Sequence, residues 1–271
     1  MESSLPSWRV LVERLLSRVA ADSKTLTEER WRKDWIERTL EREDLLAAAA
    51  VVEVMAGSAL GDMLLDALYG KEGAGSFQPG PTAHQVAYLR RCFGDRLTLL
   101  TTNYDDLIER ALLSAGYSKH EVRSHVRRRK VSRAAFAVTH LHGFAGPEGP
   151  PKSLVLTEEQ YQRMQRHRSW QERCVIEQLE GTHCLFVGTS LTDPNLIRYL
   201  YGYPQTGSRG HAAIFVRQGE GDGGDWPEVR RAREDAVAKR WARRGVEAVF
   251  VDHFADAAQL LYEIEIGRAH V

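Results

Sequence analysis

Three short stretches of this chain carry residues able to do chemistry, and each stands where an apolar run stops. The first is Thr101-Thr102-Asn103-Tyr104-Asp105, which follows Leu97, Leu99 and Leu100. The second is His142-Gly143, at the end of the run Ala135-Phe-Ala-Val-Thr-His140-Leu. The third is Gly188-Thr189-Ser190, after Cys184-Leu-Phe-Val. Ligands of open α/β sheets bind beyond the carboxyl ends of the strands, so an asparagine and an aspartate two residues apart at such an edge can face one. A Gly-Thr-Ser turn ahead of a helix offers backbone N–H groups to a phosphate or ribose. Each stretch also has a plainer reading: a strand-to-helix turn with a capping Asp, a histidine that closes a strand, a turn of small residues.

The elements that would position these residues follow from periodicity. Leu97 to Leu100 among threonines suits a strand buried on both faces, and Leu107, Ile108, Ala111 and Leu112 recur at helical spacing after it. Ala135 to Gly143 reads as another strand, Val122 to Val126 and Ser153 to Thr157 as short ones, and Cys184 onwards as the next. Glu158 to Leu179 reads as one long helix; His211 to Arg217 and Glu247 to Asp252 as the last strands, with a charged helix from Pro227 to Arg244 between them. Strands alternating with helices predict an α/β fold with a mainly parallel sheet and helices on both faces.

The N-terminal third has a different texture. Ser7 is placed to cap a helix whose apolar face is Val10, Leu11, Leu15, Leu16 and Val19. Helical spacing continues from Leu26 to Tyr69, with Trp31, Trp35, Ile36 and Leu40 as one stripe. A small all-helical subdomain over about residues 24–75 is therefore expected, its aromatic stripe facing the core. Gly70 to Pro81 reads as loop, and Thr82 as the cap of a helix through Arg91. The run Arg127 to Lys130 and the arginines of residues 227–244 read as solvated faces, and Gly219 to Gly224 as a loop.

With 271 residues, 43% of them hydrophobic, the chain can bury a sizeable core. Lys plus Arg and Asp plus Glu both number 37, so charge gives no reason to expect nucleic acid or an anionic membrane as partner. Cys92, Cys174 and Cys184 show no paired CxxC spacing, which speaks against a disulfide framework and a cysteine-built zinc site. No apolar run is expected to approach the length of a membrane span and no signal peptide opens the chain, so a cytoplasmic setting is expected.

Taken together and in order, the three stretches resemble the sirtuin-like superfamily, in particular its prokaryotic branch found in antiviral defence proteins. Thr101-Thr102-Asn103-Tyr104-Asp105 is similar to the family's Thr-Gln-Asn-hydrophobic-Asp motif, Leu141-His142-Gly143 to its His-Gly motif, and Gly188-Thr189-Ser190 to its Gly-Thr-Ser motif. Leu154-Val-Leu-Thr-Glu-Glu-Gln-Tyr161 and Leu191-Thr-Asp-Pro-Asn-Leu196 extend the likeness, which covers most of residues 5–218. The resemblance implies a Rossmann-like domain, here spanning residues 1–265, that binds NAD+ as substrate and cleaves its nicotinamide–ribose bond. It implies that Asn103 positions the attacking water and that Asp105 contacts the carboxamide or orients the loop. It makes His142 a general base toward a ribose hydroxyl, and gives Thr101, Thr102, Gly188, Thr189 and Ser190 to cofactor binding. It further implies the effector part of a defence protein that depletes NAD+, with homo-oligomers and a C-terminal sensor domain among the expected partners.

Three departures shape these expectations. Thr102 stands where deacylases carry glutamine. No four-cysteine zinc module is present, so no zinc is expected and an NAD-dependent protein deacylase becomes the second reading. The family's first strand and Gly-Ala-Gly loop, which cradle the pyrophosphate, are missing ahead of Leu5-Pro-Ser-Trp8. The chain is therefore expected to be truncated and to bind NAD+ poorly, and a non-catalytic NAD+ or ADP-ribose sensor is the third reading. Residues 266–271 read as an artefactual tail.

Overall fold

A computed structural model describes residues 5–70, 73–127, 136–166, 169–202, 210–217 and 226–268. The chain divides into two compact units, Met1–His167 and Arg168–Val271. Most of the basic run (128–130), Ala135, the Gly-rich loop at 219–224 and residues 269–271 of the tail lie outside the described residues.

In the first unit, α1 (Trp8–Asp22) begins at Ser7, whose hydroxyl accepts from the Val10 N–H at 3.4 Å. Its inward stripe is Leu11, Val12, Leu15, Leu16 and Val19, while Val10 turns outward at 39% exposure. Helical periodicity explains the change: Val12 shares a face with Leu15, Leu16 and Val19, whereas Val10 precedes that face. Around α1 pack α2 (Glu29–Arg42), α3 (Leu45–Ala56) and α4 (Leu60–Tyr69). Asp44 caps α3 by accepting from the N–H groups of Leu46 and Ala47 at 2.8 and 2.9 Å.

The expected aromatic stripe on α2 is only partly inward. Trp35, Ile36 and Leu40 pack against the core, Trp31 is exposed, and no residue of α2 is fully buried. The run Leu45–Ser76 is, by length and composition alone, long and apolar enough to cross a membrane, which the sequence reading overlooked. Among the described residues the run is broken rather than one continuous helix. Gly57, with φ +54°, ends α3, a short 3-10 helix follows, and Ala48, Ala49, Val52, Leu64 and Leu68 enter the same core as α1.

The sheet of this unit has β1 (Leu99–Thr101), β2 (Val122–His125) and β3 (Phe136–His140), in the order β1-β3-β2 and parallel throughout. β1 is half-buried rather than buried on both faces. Helix α5 (Pro81–Phe93) starts with Pro81 after Gly80, so Thr82 lies inside the helix instead of capping it. It packs on α6 (Leu107–Ser114), which also contacts β2. Ser153 to Thr157 forms no strand; the only pairing there is an isolated antiparallel bridge between Phe144 and Lys152. The predicted long helix over 158–179 is two helices, α7 (Glu158–Arg166) and α8 (Trp170–Gly181). Ser169 explains the second start, since its hydroxyl accepts from the Glu172 N–H at 3.1 Å.

The second unit contains α8, α9 (Pro194–Gly202), α10 (Pro227–Ala242) and α11 (Phe254–Arg268). Its sheet is also parallel, with β4 (Leu185–Phe186), β5 (His211–Val216) and β6 (Val246–Val251) in sequential order. Ile214, Val251 and Ala257 form one core cluster in it, with Val187, Val216 and Leu260 beside them. The fold is thus α/β, with parallel sheets flanked by helices and a smaller helical region. Its described strands form two three-stranded sheets, one in each unit.

Candidate active site

The carboxyl ends of β1 and β3 are neighbours, because Thr101 and His140 are paired across the ladder. The turns that follow are stitched together. Leu141 N–H donates to the Thr101 carbonyl at 2.8 Å, and Ala145 N–H to the Tyr104 carbonyl at 2.7 Å. Asn103 and the His142-Gly143 turn therefore belong to one edge of one sheet. This is where open α/β sheets receive ligands.

Each residue of the first motif has a defined place. Thr101 closes β1, and its hydroxyl accepts from the Asn103 N–H at 3.0 Å, which tightens the turn. Thr102 is half-buried and Asn103 is exposed, its side chain open to solvent at the strand end. Tyr104 points the other way: it is buried, and its hydroxyl donates to the Val155 carbonyl at 2.8 Å. Asp105 caps the following helix locally, with one carboxylate oxygen accepting from the Leu107 N–H at 3.0 Å. Burial raises the Asp105 carboxyl above its usual range, against the lowering effect of that bond and of His140. Asp106 is raised for the same first reason, and one of its oxygens has no hydrogen-bond partner among the described residues.

His142 is buried, its Nδ1 lying 3.4 Å from the Tyr161 hydroxyl and its ring edge-on to the Tyr161 ring at 5.2 Å. The next residue has to be glycine. Gly143 sits at φ +99°, and a β-carbon there would meet the carbonyl oxygens of Ser153 and Lys152 at 2.5 and 2.6 Å. The His142 carbonyl in turn accepts from the Val155 N–H at 2.8 Å, so the segment 152–155 clamps the histidine turn.

Sequence reasoning missed the group beneath this edge. His140 is fully buried on the same face of β3 as Val138. Its Nδ1 lies 2.9 Å from the Asn103 carbonyl, and its Nε2 lies 2.8 Å from Oε1 of Glu109. The Ser124 hydroxyl also donates to Oε1 of Glu109, and the Phe144 ring covers His140 edge-on at 4.8 Å. The signal was available. Glu109 lies three residues before buried Leu112 in α6, which puts a carboxylate on an apolar helix face, where it needs a partner.

Gly188, Thr189 and Ser190 belong to the second unit, after β4. Gly188 has φ +67° with open space where a side chain would stand, and Thr189 Oγ1 accepts from the Leu191 N–H at 3.2 Å. Leu191 is buried in the left-handed region at φ +51°. The Ser190 and Thr192 hydroxyls bond each other at 2.6 Å. Asp193 caps α9 by accepting from the Leu196 N–H at 2.8 Å. Among the described residues, no group of three or more His, Cys, Asp or Glu is arranged to hold a metal ion.

Comparison with known proteins adds two findings. The family model described as SIR2-like domain matches residues 97–248, more than half of the chain. The chain is also 29% identical over 174 residues to a protein named NAD(+) hydrolase ThsA from Acinetobacter baumannii (strain 532279). That alignment covers 62% of this chain and 35% of the relative, so the chain spans about a third of the relative's length.

Proposed function

This chain belongs to the SIR2-like domain family, and we propose that it cleaves the nicotinamide–ribose bond of NAD+ with water as the acceptor. The observation that carries this reading is the shared edge of β1 and β3, where an exposed asparagine and a glycine-locked histidine turn are held together by backbone hydrogen bonds. Similarity to a protein named as an NAD(+) hydrolase supports the same choice of substrate.

The chemistry asks little covalent work of the protein. As the C1′–N bond breaks, its electron pair returns to the pyridinium nitrogen, so nicotinamide leaves as a neutral molecule and needs no acid. The ribose carbon develops oxocarbenium character, and water adds at C1′ with loss of one proton, giving ADP-ribose. Binding the ribose, aiming one water and excluding others are then the main contributions. In this reading Asn103 positions the water and His142 takes a proton from a ribose hydroxyl, a task suited to imidazole near neutral pH. Asp105 orients the turn through its bond to Leu107. The family resemblance assigns Thr101 and Thr102 to cofactor binding, with one ribose contact shortened or lost at Thr102, and assigns Gly188, Thr189 and Ser190 to phosphate and ribose through N–H and hydroxyl groups. NAD+ is the substrate, and the reaction requires no zinc.

The proposed setting is that of the family's defence branch: an effector in the bacterial cytoplasm that depletes NAD+ on infection, assembled as homo-oligomers and governed by a sensing domain. The test is release of free nicotinamide from NAD+ without any acylated peptide, by the parent chain and by Asn103→Ala. Release that disappears in Asn103→Ala is expected. Turnover that depends on an acyl-lysine peptide would instead assign a deacylase, and NAD+ binding without turnover a sensor.

A further inference from the structure

His140 and Glu109 are buried, ionisable and unused by the mechanism above, yet they touch the backbone of its central residue. Proton counting defines their state. The Asn103 carbonyl can only accept, so the 2.9 Å contact requires a proton on Nδ1 of His140. The 2.8 Å contact between Nε2 and Oε1 of Glu109 requires a second proton between those two atoms. Two protons thus serve the pair and Asn103: one on Nδ1, and one shared with the carboxylate. The other Glu109 oxygen has no hydrogen-bond partner among the described residues. That makes His140 the carboxylate's principal source of charge compensation, alongside the Ser124 hydroxyl.

We propose that His140 and Glu109 form a buried proton-holding pair that positions the Thr101–Asn103 turn by fixing the Asn103 carbonyl. Its consequence for turnover rests on the NAD+-cleavage reading. Asn103 is joined to the fold by its own N–H bond to Thr101 and by this carbonyl bond. When the shared proton is lost, the one that remains on the imidazole is drawn to Nε2 by the Glu109 carboxylate. Nδ1 then presents a lone pair to the Asn103 carbonyl, and the turn is released. The ionisable groups around the pair are Asp105, which acts on His140 directly, Asp106 and Arg110 beside the carboxylates, and Tyr69, within electrostatic reach of Asp105, Asp106, Arg110 and Glu109. Burial works against the charged imidazole, but the bond to Glu109 and its charge, the Asn103 carbonyl and Asp105 together outweigh it, and the outcome is a His140 whose pKa lies above its ordinary 6.5. The pair is therefore intact below that value and is lost as pH rises through the higher folded-state one.

The experiment compares the parent chain, His140→Phe and Glu109→Gln. It reads kcat and KM for nicotinamide release across pH, and the hydrogen-exchange protection of residues 101–106. His140→Phe keeps a ring but makes neither bond. It is expected to lower kcat on the order of 100-fold with a much smaller change in KM, and to reduce protection of 101–106. Glu109→Gln can donate an amide hydrogen to Nε2, which leaves the proton on Nδ1 at every pH. It is expected to restore most of the turnover and to lose the decline the parent shows above pH 6.5. Identical pH profiles for parent and Glu109→Gln, or parental protection of 101–106 in His140→Phe, would overturn the proposal. If the parent releases no nicotinamide, the NAD+ reading fails separately, and the protection of 101–106 across the parent and Glu109→Gln pH series decides the positioning role alone.

Discussion

At the scale of single residues, the sheet edge divides its labour between side chains that face outward and side chains that hold them. Asn103 is exposed, whereas Tyr104, His140 and His142 are buried around it. If His142 is the base toward the ribose, His142→Ala should lower kcat by about 10²–10⁴-fold, as loss of a general base does, while the protein stays folded. A loss below tenfold in steady-state kinetics would remove it from that role. The buried imidazoles also predict a pH dependence of stability. His140 is raised above 6.5, so the native state holds more protons than the unfolded one just above that pH, and stability falls as pH rises through the window. His211 is lowered by burial, and its opposite contribution lies below 6.5, so the two windows separate. The urea midpoint should decline on going upward from pH 6.5, and His140→Phe should flatten that decline; an unchanged slope in the variant would exclude His140 as its source.

At the scale of elements, the turn after β3 depends on a backbone that only glycine tolerates. Gly143→Ala should cost at least about 1–3 kcal/mol from the left-handed conformation alone. The added methyl would also collide with the 152–153 carbonyls. Denaturant unfolding measures the cost, and a variant as stable as the parent would contradict the described turn. The strands carrying the site were legible in the sequence because apolar runs ended abruptly at polar residues. The segments around them were less so. Ser153 to Thr157 has the apolar composition of a strand, but its backbone is spent clamping the His142 turn and accepting the Tyr104 hydroxyl. The helix predicted across 158–179 looked continuous because periodicity does not register a serine that starts a new helix. His140 was read only as part of a strand. Its role depends on Glu109, which lies thirty-one positions away and meets it only through the fold.

At the scale of the molecule, the family assignment rests on a match over residues 97–248, which includes all three motifs. The described residues place Asn103 and His142 on one parallel sheet and Gly188 to Ser190 beside another, each motif following a strand's carboxyl end. That each motif follows a strand end is what the apolar runs implied, whereas the division into two three-stranded sheets in place of one was not legible, because strand periodicity does not say which strands pair. The measurement that tests the central claim most directly is nicotinamide release from NAD+ without an acylated peptide. It is made on this chain and on its Asn103→Ala variant, at NAD+ concentrations high enough to offset weak binding. The account predicts release by this chain, with ADP-ribose as the second product, and its loss in Asn103→Ala. NAD+ bound but uncleaved, or release that survives Asn103→Ala, would contradict it.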